Sequence, residues 1–556
     1  MPDLTQIPAR IGLVYWQRVC LLPEHTIFIV TNIATTNSAS VSLGRSLIAR
    51  VVFTCAAALT ALWLCASLWF PFGWDQGFFA SVGDVIVRGG MPYRDGWEMK
   101  GPLTYYAFAF AQWLFGRHMW SIRIFDLPLL IAGMAALAAV VGRFTSRMVG
   151  WWAAIVFALW IGSLTWFHAA QPDGWVASFM ILAAAPLVAR KPSATQLAFC
   201  GVLIGCATLV KPLYLGFLAA PLMYIAGQPR PERGSKLALA ASVSMAALIP
   251  PLLAVAWFAY RGALRDLVDV HLLYTMRVYS GSSSARIREM IAGVLRYFLA
   301  GTVTLALPVI VIGAHALWRA SRSSALLVIT WAMVAVACVA AQGKFYKYHW
   351  MPLFPPLVIL GAVGCYTLLM AMSEKTVGKS AESLKLLCAV SLSLTAFVVL
   401  QLSVVPATSV AEWLELVAGR IGSDRYYASH AAGGYIAGDD MKAARYIRER
   451  TQPTDGVAVW GNNALIGFLS GRPNPTRFVY AMPLTEGGPR SPRDTYRREY
   501  MSALLKNPPA YFVVGVPWGS PHKDQVLHDF PELETLLHER YSMETQVGGL
   551  DLYHRN

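Results

Sequence analysis

The sequence is short of charge. Of its 556 residues only 14% are Asp, Glu, Lys or Arg, while 56% are hydrophobic. A soluble chain of this length carries nearer a quarter charged residues, so an ordinary soluble protein is excluded. Cysteine is also scarce. There are eight, none in zinc-type pairs. Cys55, Cys65, Cys200, Cys206, Cys338, Cys365 and Cys388 fall in apolar runs, where they read as small buried hydrophobes, and no disulfide framework is expected. Residues 1–45 lack a charged start, a clean apolar core and a small-residue cleavage site, so they read as a cytoplasmic extension, disordered or loosely attached. "GGYIAG" has no phosphate-loop spacing, and no internal repeat of the kind common in secondary transporters is visible. The net charge of +15 would suggest nucleic acid on a soluble chain. Here the bases sit in short clusters between apolar runs, which removes that reading.

What is present is a series of long apolar segments. With roughly 20 residues needed per crossing, spans are expected near 47–70, 121–142, 149–167, 174–189, 195–210, 212–227, 237–259, 291–316, 323–341, 351–372 and 386–405. The segment 101–117 is short and opens with Gly-Pro, so it reads as an interfacial helix. The charges support that choice. With Arg45 and Arg50 inside, alternation puts Arg143 to Arg147, Arg190-Lys191, Arg230 to Lys236, Arg319 to Arg322 and Lys375 to Lys385 inside too. All are basic, as cytoplasmic connections should be. Counting 101–117 as a crossing would move them all outside.

The other connections then face outward: 71–120, 168–173, the Lys211-Pro212 turn, 260–290, 342–350 and the chain after 406. Nearly all the unusual polar residues at helix ends lie in them. Charges at membrane depth are costly and usually functional, so one extracytoplasmic site is the economical reading. The tail, 406–556, alternates helix and strand: "DMKAARYIRER", "GVAVWG", "RFVY", "TYRREYMSALLKN", "AYFVVGV", "ELETLLHERY". That pattern predicts a small extracytoplasmic α/β domain. The expected fold class is thus a polytopic α-helical membrane protein, with a transmembrane domain over 46–405 and a soluble α/β domain over 406–556.

The outward loops carry an ordered set of motifs. "WDQG" follows the first span. Then come "GGMPYRDGWEMKGPLTYY", "WLFGRHMWSIRI", "QPDGW", "GCATLVKP" and "KYHWMPLFPPL". In this order they resemble the GT-C superfamily of membrane glycosyltransferases. The similarity is closer to its protein O-mannosyltransferase-like branch, which includes the bacterial lipid A aminoarabinose transferase. The resemblance spans roughly residues 47 to 370. It implies transfer of a sugar from a polyprenyl-phosphate carrier to an extracytoplasmic acceptor, usually with inversion at the anomeric carbon.

Such a transfer needs a base for the acceptor hydroxyl, and a carboxylate at the water–lipid boundary can serve. The resemblance puts Asp75 in the position of the catalytic acid and Asp173 in that of the second outer acid; a helix cap is the alternative for each. The leaving phosphate needs positive charge more than a proton. Lys100, in "EMKGP", matches the lysine facing that phosphate, with interfacial snorkelling as its alternative. Arg123 either contacts the phosphate or pairs with Asp126. Lys211 lies between two short spans, where an idle lysine would be costly. In "KFYKYHW", Lys347 and His349 suit a phosphate, and Tyr346 and Tyr348 suit a sugar face; a plain interfacial belt is the alternative. Glu98 either orients Lys100 or binds acceptor, with a plain surface acid as its alternative. His271 and Tyr274 sit in a 260–290 loop that could close over substrate, with a Gly-Ser-Ser-Ser run as its soft point. Asp75 is followed by Gln76 and Gly77 rather than a second acid. Some members of the superfamily pair acids in this loop and bind a divalent metal, so the resemblance does not carry a metal over to this chain, although Asp75 and Asp173 could share an ion.

Three rivals stand beside this reading. A flippase for a polyprenyl-linked sugar would want polar residues through mid-span, and these spans are mostly Ala, Leu, Val and Trp. A ligase or polymerase using a polyprenyl diphosphate would want more outward Arg. A non-catalytic assembly protein is the third. Base-poor outer loops point to a bacterial plasma membrane. The acceptor is left open among cell-envelope glycan, lipid and protein.

Overall fold

The computed structural model describes residues 47–189, 192–229, 233–279, 286–373, 379–488, 490–515 and 527–556. The expected extension 1–45, the Arg190-Lys191 pair, parts of the basic connections at 230–232 and 374–378, and the Gly-Ser-Ser-Ser run at 281–284 lie outside the described residues.

Among the described residues, seven helices are long and apolar enough to cross a bilayer: Ala49–Trp69, Ser121–Phe144, Ser235–Tyr260, Val303–Ala320, Arg322–Gln342, Lys347–Ser373 and Glu382–Val417. Four shorter apolar helices, Arg147–Gly162, Pro172–Val188, Ala194–Thr208 and Pro212–Ala226, stand between them in the chain. Together they fall where the spans were expected, with one displacement. The span expected over 291–316 is two elements. Arg286–Ala300 is an amphipathic helix, exposing Arg288, Glu289 and Arg296. The chain breaks at Gly301, and the apolar span is Val303–Ala320. An average over a window hides this, because the charged positions share one side of the first helix. The segment after Gly101 is a helix, Pro102–Phe115, with Pro in its first turn. Its 14 residues reach only about 21 Å, short of the ~30 Å hydrocarbon core.

The stretch expected as a loop at 260–290 is largely helical. Leu264–Asp266 leads into a π-helical segment, Leu267–Tyr279, which buries Leu267, Val270, His271 and Tyr274. His271 and Tyr274 pack on Tyr93 and Trp97 of the first loop, which is what orders the segment. The last membrane helix runs on as Lys379–Val417, through the expected boundary at 405.

Beyond it, a hairpin joins Ala431–Ala432 to Tyr435–Ile436 through Gly433 and Gly434, both at positive φ, as a two-residue turn requires. A four-stranded sheet follows. Val457–Trp460 pairs in parallel with Tyr511–Val514; Leu550–Arg555 is antiparallel to Tyr511–Val514 and to the edge strand Tyr541–Val547. The two C-terminal strands were not anticipated. Conversely, "RFVY" is no strand of this sheet. Phe478 makes a single bridge to Trp97 of the first loop, because its aromatic ring is used against that loop instead. One hydrophobic cluster runs from the membrane helices into the tail, uniting Phe72, Phe78 and Trp97 with Phe468, Phe478 and Tyr480.

Candidate active site

Lys100 is placed by backbone contact. The Gly101 N–H donates to Val210 O (3.1 Å) and the Leu103 N–H to Leu209 O (3.2 Å). A Cβ at position 101 would lie 2.0 Å from Leu209 O. Only glycine allows that approach, and it brings Lys100 beside Lys211. Glu98 is buried and closes the turn: it accepts from the Lys100 N–H at 2.8 Å and from the Tyr105 hydroxyl. Tyr93 and Tyr105 donate to Lys100 O at 2.7 and 3.1 Å. Burial raises the Glu98 carboxyl, with the Lys100 charge opposing. Glu98 thus shapes the loop that presents Lys100.

The Lys100 ammonium lies 3.3 Å from the Tyr348 hydroxyl and 5.4 Å from its ring centre. Lys211 lies 5.6 Å from the same ring centre. Two cations therefore flank one aromatic ring, whose quadrupole attracts both. Lys211 is further held by Asp173 Oδ1 at 2.7 Å and Gln342 Oε1 at 2.8 Å, and Asp173 also accepts from the Tyr214 hydroxyl. Asp173 is 1% exposed. Burial pushes the Lys211 ammonium down to about 8; Asp173 opposes the shift and Lys100 adds to it.

Asp75 sits in the first turn of helix Trp74–Val87, half-buried, where the helix dipole favours an anion. Gln171 Nε2 donates to its Oδ2 at 3.0 Å. Gln76 sets this up by donating to Phe167 O (3.2 Å) and Ala169 O (2.7 Å), which clamps the 163–171 connection onto the Asp75 helix. His168 stands between the groups, its ring centre 5.4 Å from that of Tyr348. Burial pushes its imidazole down to about 4, Asp75 opposing and Lys347 reinforcing.

The non-glycine residues with positive φ among the described residues are Tyr93, Thr165, Ala170 and Phe345. All lie in the connections that carry this cluster. Such backbone costs about 1–3 kcal/mol per residue and is retained mainly where a site needs it.

The structure thus joins Asp75, Lys100, Asp173, Lys211 and Tyr348, with Tyr346 and His349 packed on Tyr348 (ring centres 5.9 and 4.6 Å) and Lys347 exposed at the rim. Others stand apart. His271 Nδ1 is bonded to Met99 O at 2.9 Å, behind the loop. Tyr274 packs edge-on to Trp97 and donates to Glu486 of the tail at 3.4 Å. Arg123 is buried with its guanidinium 3.8 Å from Asp126. Gln76, Gln171, Tyr214, Gln342 and the tail's Glu486 were not anticipated. The one signal for them is a polar side chain at the end of an apolar run. No group of three or more His, Cys, Asp or Glu able to hold a metal occurs among the described residues.

The fold, a bundle of membrane helices capped by a small mixed domain, is similar to that of solved membrane proteins. The chain is similar to ArnT from Cupriavidus metallidurans in its apo crystal structure, with a TM-score of 0.56 and 15% identity over 90% of this chain and 97% of that one. The same protein bound to undecaprenyl phosphate gives 0.55 at 15% identity and the same coverage. A looser likeness, TM-score 0.48 at 12% identity, covers 90% of this chain and 74% of the Archaeoglobus fulgidus oligosaccharyltransferase. The family model for dolichyl-phosphate-mannose-protein mannosyltransferases matches residues 99–257. No curated protein matches the sequence.

Proposed function

We propose that the protein transfers a sugar from a polyprenyl-phosphate donor to an extracytoplasmic acceptor, a cell-envelope glycan, lipid or protein, with inversion at the anomeric carbon. The observation that carries this is the pair Lys100 and Lys211 astride Tyr348, in the same cluster as Asp75. Two cations at helix ends, beside one aromatic ring, suit one phosphate. The similarity to a fold that binds undecaprenyl phosphate supports the same ligand class.

In this reading Lys100, Lys211 and Lys347 hold the donor phosphate, and Tyr348 and Tyr346 bound the sugar. Asp75 accepts the proton of the acceptor hydroxyl. The acceptor oxygen bonds to the anomeric carbon as the bond from that carbon to phosphate oxygen breaks. The electron pair leaves with polyprenyl phosphate, whose growing charge the lysines stabilise. Asp173, already bonded to Lys211 and Tyr214, acts by positioning Lys211. The site lies on the outer face of a plasma membrane, bacterial by the argument from the loops.

The test offers purified protein in lipid a panel of polyprenyl-phosphate sugars with crude cell-envelope acceptor. Mass spectrometry follows release of free polyprenyl phosphate. The expected result is loss of one sugar from its carrier by the wild type and none by Asp75→Asn. Equal release by the folded variant would remove Asp75 from the chemistry. No release by folded wild type would return the flippase and assembly readings to first place.

A further inference from the structure

Arg123 is 1% exposed, and its Nε, Nη1 and Nη2 have no hydrogen-bond partner in the protein. The buried atoms Trp63 Nε1, His168 Nδ1 and Gln171 Oε1 are unpartnered too. These four residues line one cavity of about 30 Å³, with Ser67, Asp126, Ser178 and Trp175 among the other walls. That volume accommodates one or two oxygen-sized groups. An unmet buried donor or acceptor costs about 1–3 kcal/mol, more when charged, and the Asp126 carboxylate is 3.8 Å from Arg123. The convergence of such groups calls for a polar occupant.

The chemistry of the wall narrows the class. Arg123 and Trp63 are donors only; Gln171 Oε1 accepts, and a neutral His168 accepts or donates by tautomer. A phosphate offers acceptors alone, and Asp126 and Gln171 Oε1 would oppose it. Hydroxyls both donate and accept, so a vicinal pair on a sugar ring satisfies both kinds of wall. The location agrees. Gln171 bonds Asp75 through its other end at 3.0 Å, and His168 packs on Tyr348.

We propose that this cavity recognises hydroxyls of the sugar carried by the lipid donor, a role that rests on the transferase reading. Arg123 then serves the sugar rather than the phosphate, and the pocket sets which sugar is taken.

The experiment uses the full chain in lipid nanodiscs, with Trp63→Phe, which removes one N–H and keeps an aromatic ring, and Arg123→Lys. The probes are polyprenyl-phosphate-linked mannose, glucose and galactose, and polyprenyl phosphate without sugar. In both variants KM for the preferred sugar donor should rise roughly tenfold, the effect of one lost hydrogen bond. Discrimination among the epimers should fall, and affinity for sugarless polyprenyl phosphate should hold. Parallel loss of sugarless affinity would put Arg123 in the phosphate clamp and overturn the proposal. A change confined to acceptor KM would overturn it by assigning the pocket to acceptor. Unchanged kinetics in folded variants would reduce the cluster to a structural one. Should Arg123→Lys fail to fold, Trp63→Phe decides alone. Wild type that binds polyprenyl phosphate but consumes neither these donors nor any lipid-linked sugar in a crude cell-envelope extract would sink the transferase reading itself, and this proposal with it.

Discussion

Asp75 and Asp173 each stand in the first turn of a helix, yet their neighbours give them different work. Asp173 is sealed in with Lys211 and Tyr214, while Asp75 keeps a half-exposed carboxylate with an amide as its hydrogen-bond donor. Removing one partner of a buried ion pair strands the other, at about 3–5 kcal/mol. Asp173→Ala should therefore lower the thermal unfolding midpoint sharply, and adding Lys211→Met should recover part of the loss. A double-mutant cycle in thermal unfolding checks this. Lys211 also predicts a pH dependence. Its ammonium sits at about 8 rather than its ordinary 10.5. As pH rises through about 8 the folded protein loses that charge, so affinity for polyprenyl phosphate should drop. Lys211→Arg, which stays charged, should move the drop to higher pH. Stability should change the other way. Between about 8 and 10.5 the unfolded chain still holds the proton that the folded chain has released, so unfolding becomes harder as pH rises.

At the scale of elements, the "MKGP" stretch shows how a motif acts. Gly101 allows backbone to touch backbone at 209–210, and Pro102 starts the next helix. Gly101→Ala would need more than an ångström of retreat, since its Cβ would meet Leu209 O at 2.0 Å. Lys100 would move with it, and affinity for polyprenyl phosphate should fall by about tenfold or more, readable in a direct binding assay. The motif's letters were visible in the sequence; its partner across more than a hundred residues was not. The π-helical segment was misread for a similar reason, and the amphipathic helix Arg286–Ala300, hidden by averaging over a window, is likewise held by distant contacts. Their order comes from contacts such as His271 with Met99 O and Tyr297 stacked on Trp350 at 3.7 Å. Those contacts join parts of the chain that sequence periodicity cannot connect.

At the scale of the whole molecule, the tail is not an appendage. Arg477 donates to Tyr93 O at 2.9 Å, Trp97 N–H donates to Arg477 O at 2.7 Å, and Tyr480 stacks on Phe78 at 4.0 Å. Glu486 accepts from Tyr274, beside the first loop, and lies in the field of Lys344. We expect the tail to lie outside the membrane with the site. An impermeant maleimide applied to intact spheroplasts should label Glu449→Cys, in the tail, and spare Arg319→Cys, in a basic connection. The reverse pattern would invert the topology.

Composition and charge spacing by themselves determined a membrane bundle, the approximate position of its helices and the gathering of its polar residues at helix ends. These follow from the cost of burying charge in hydrocarbon, which is written along the chain. Tertiary structure alone decided which of those residues meet. Only packing puts Lys211 on Asp173 and Gln342, hands Asp75 to Gln171, and turns Arg123 away toward a cavity with Trp63. Hydrogen bonds act over about 3 Å, and no spacing in a linear sequence reports which distant segments will come that close.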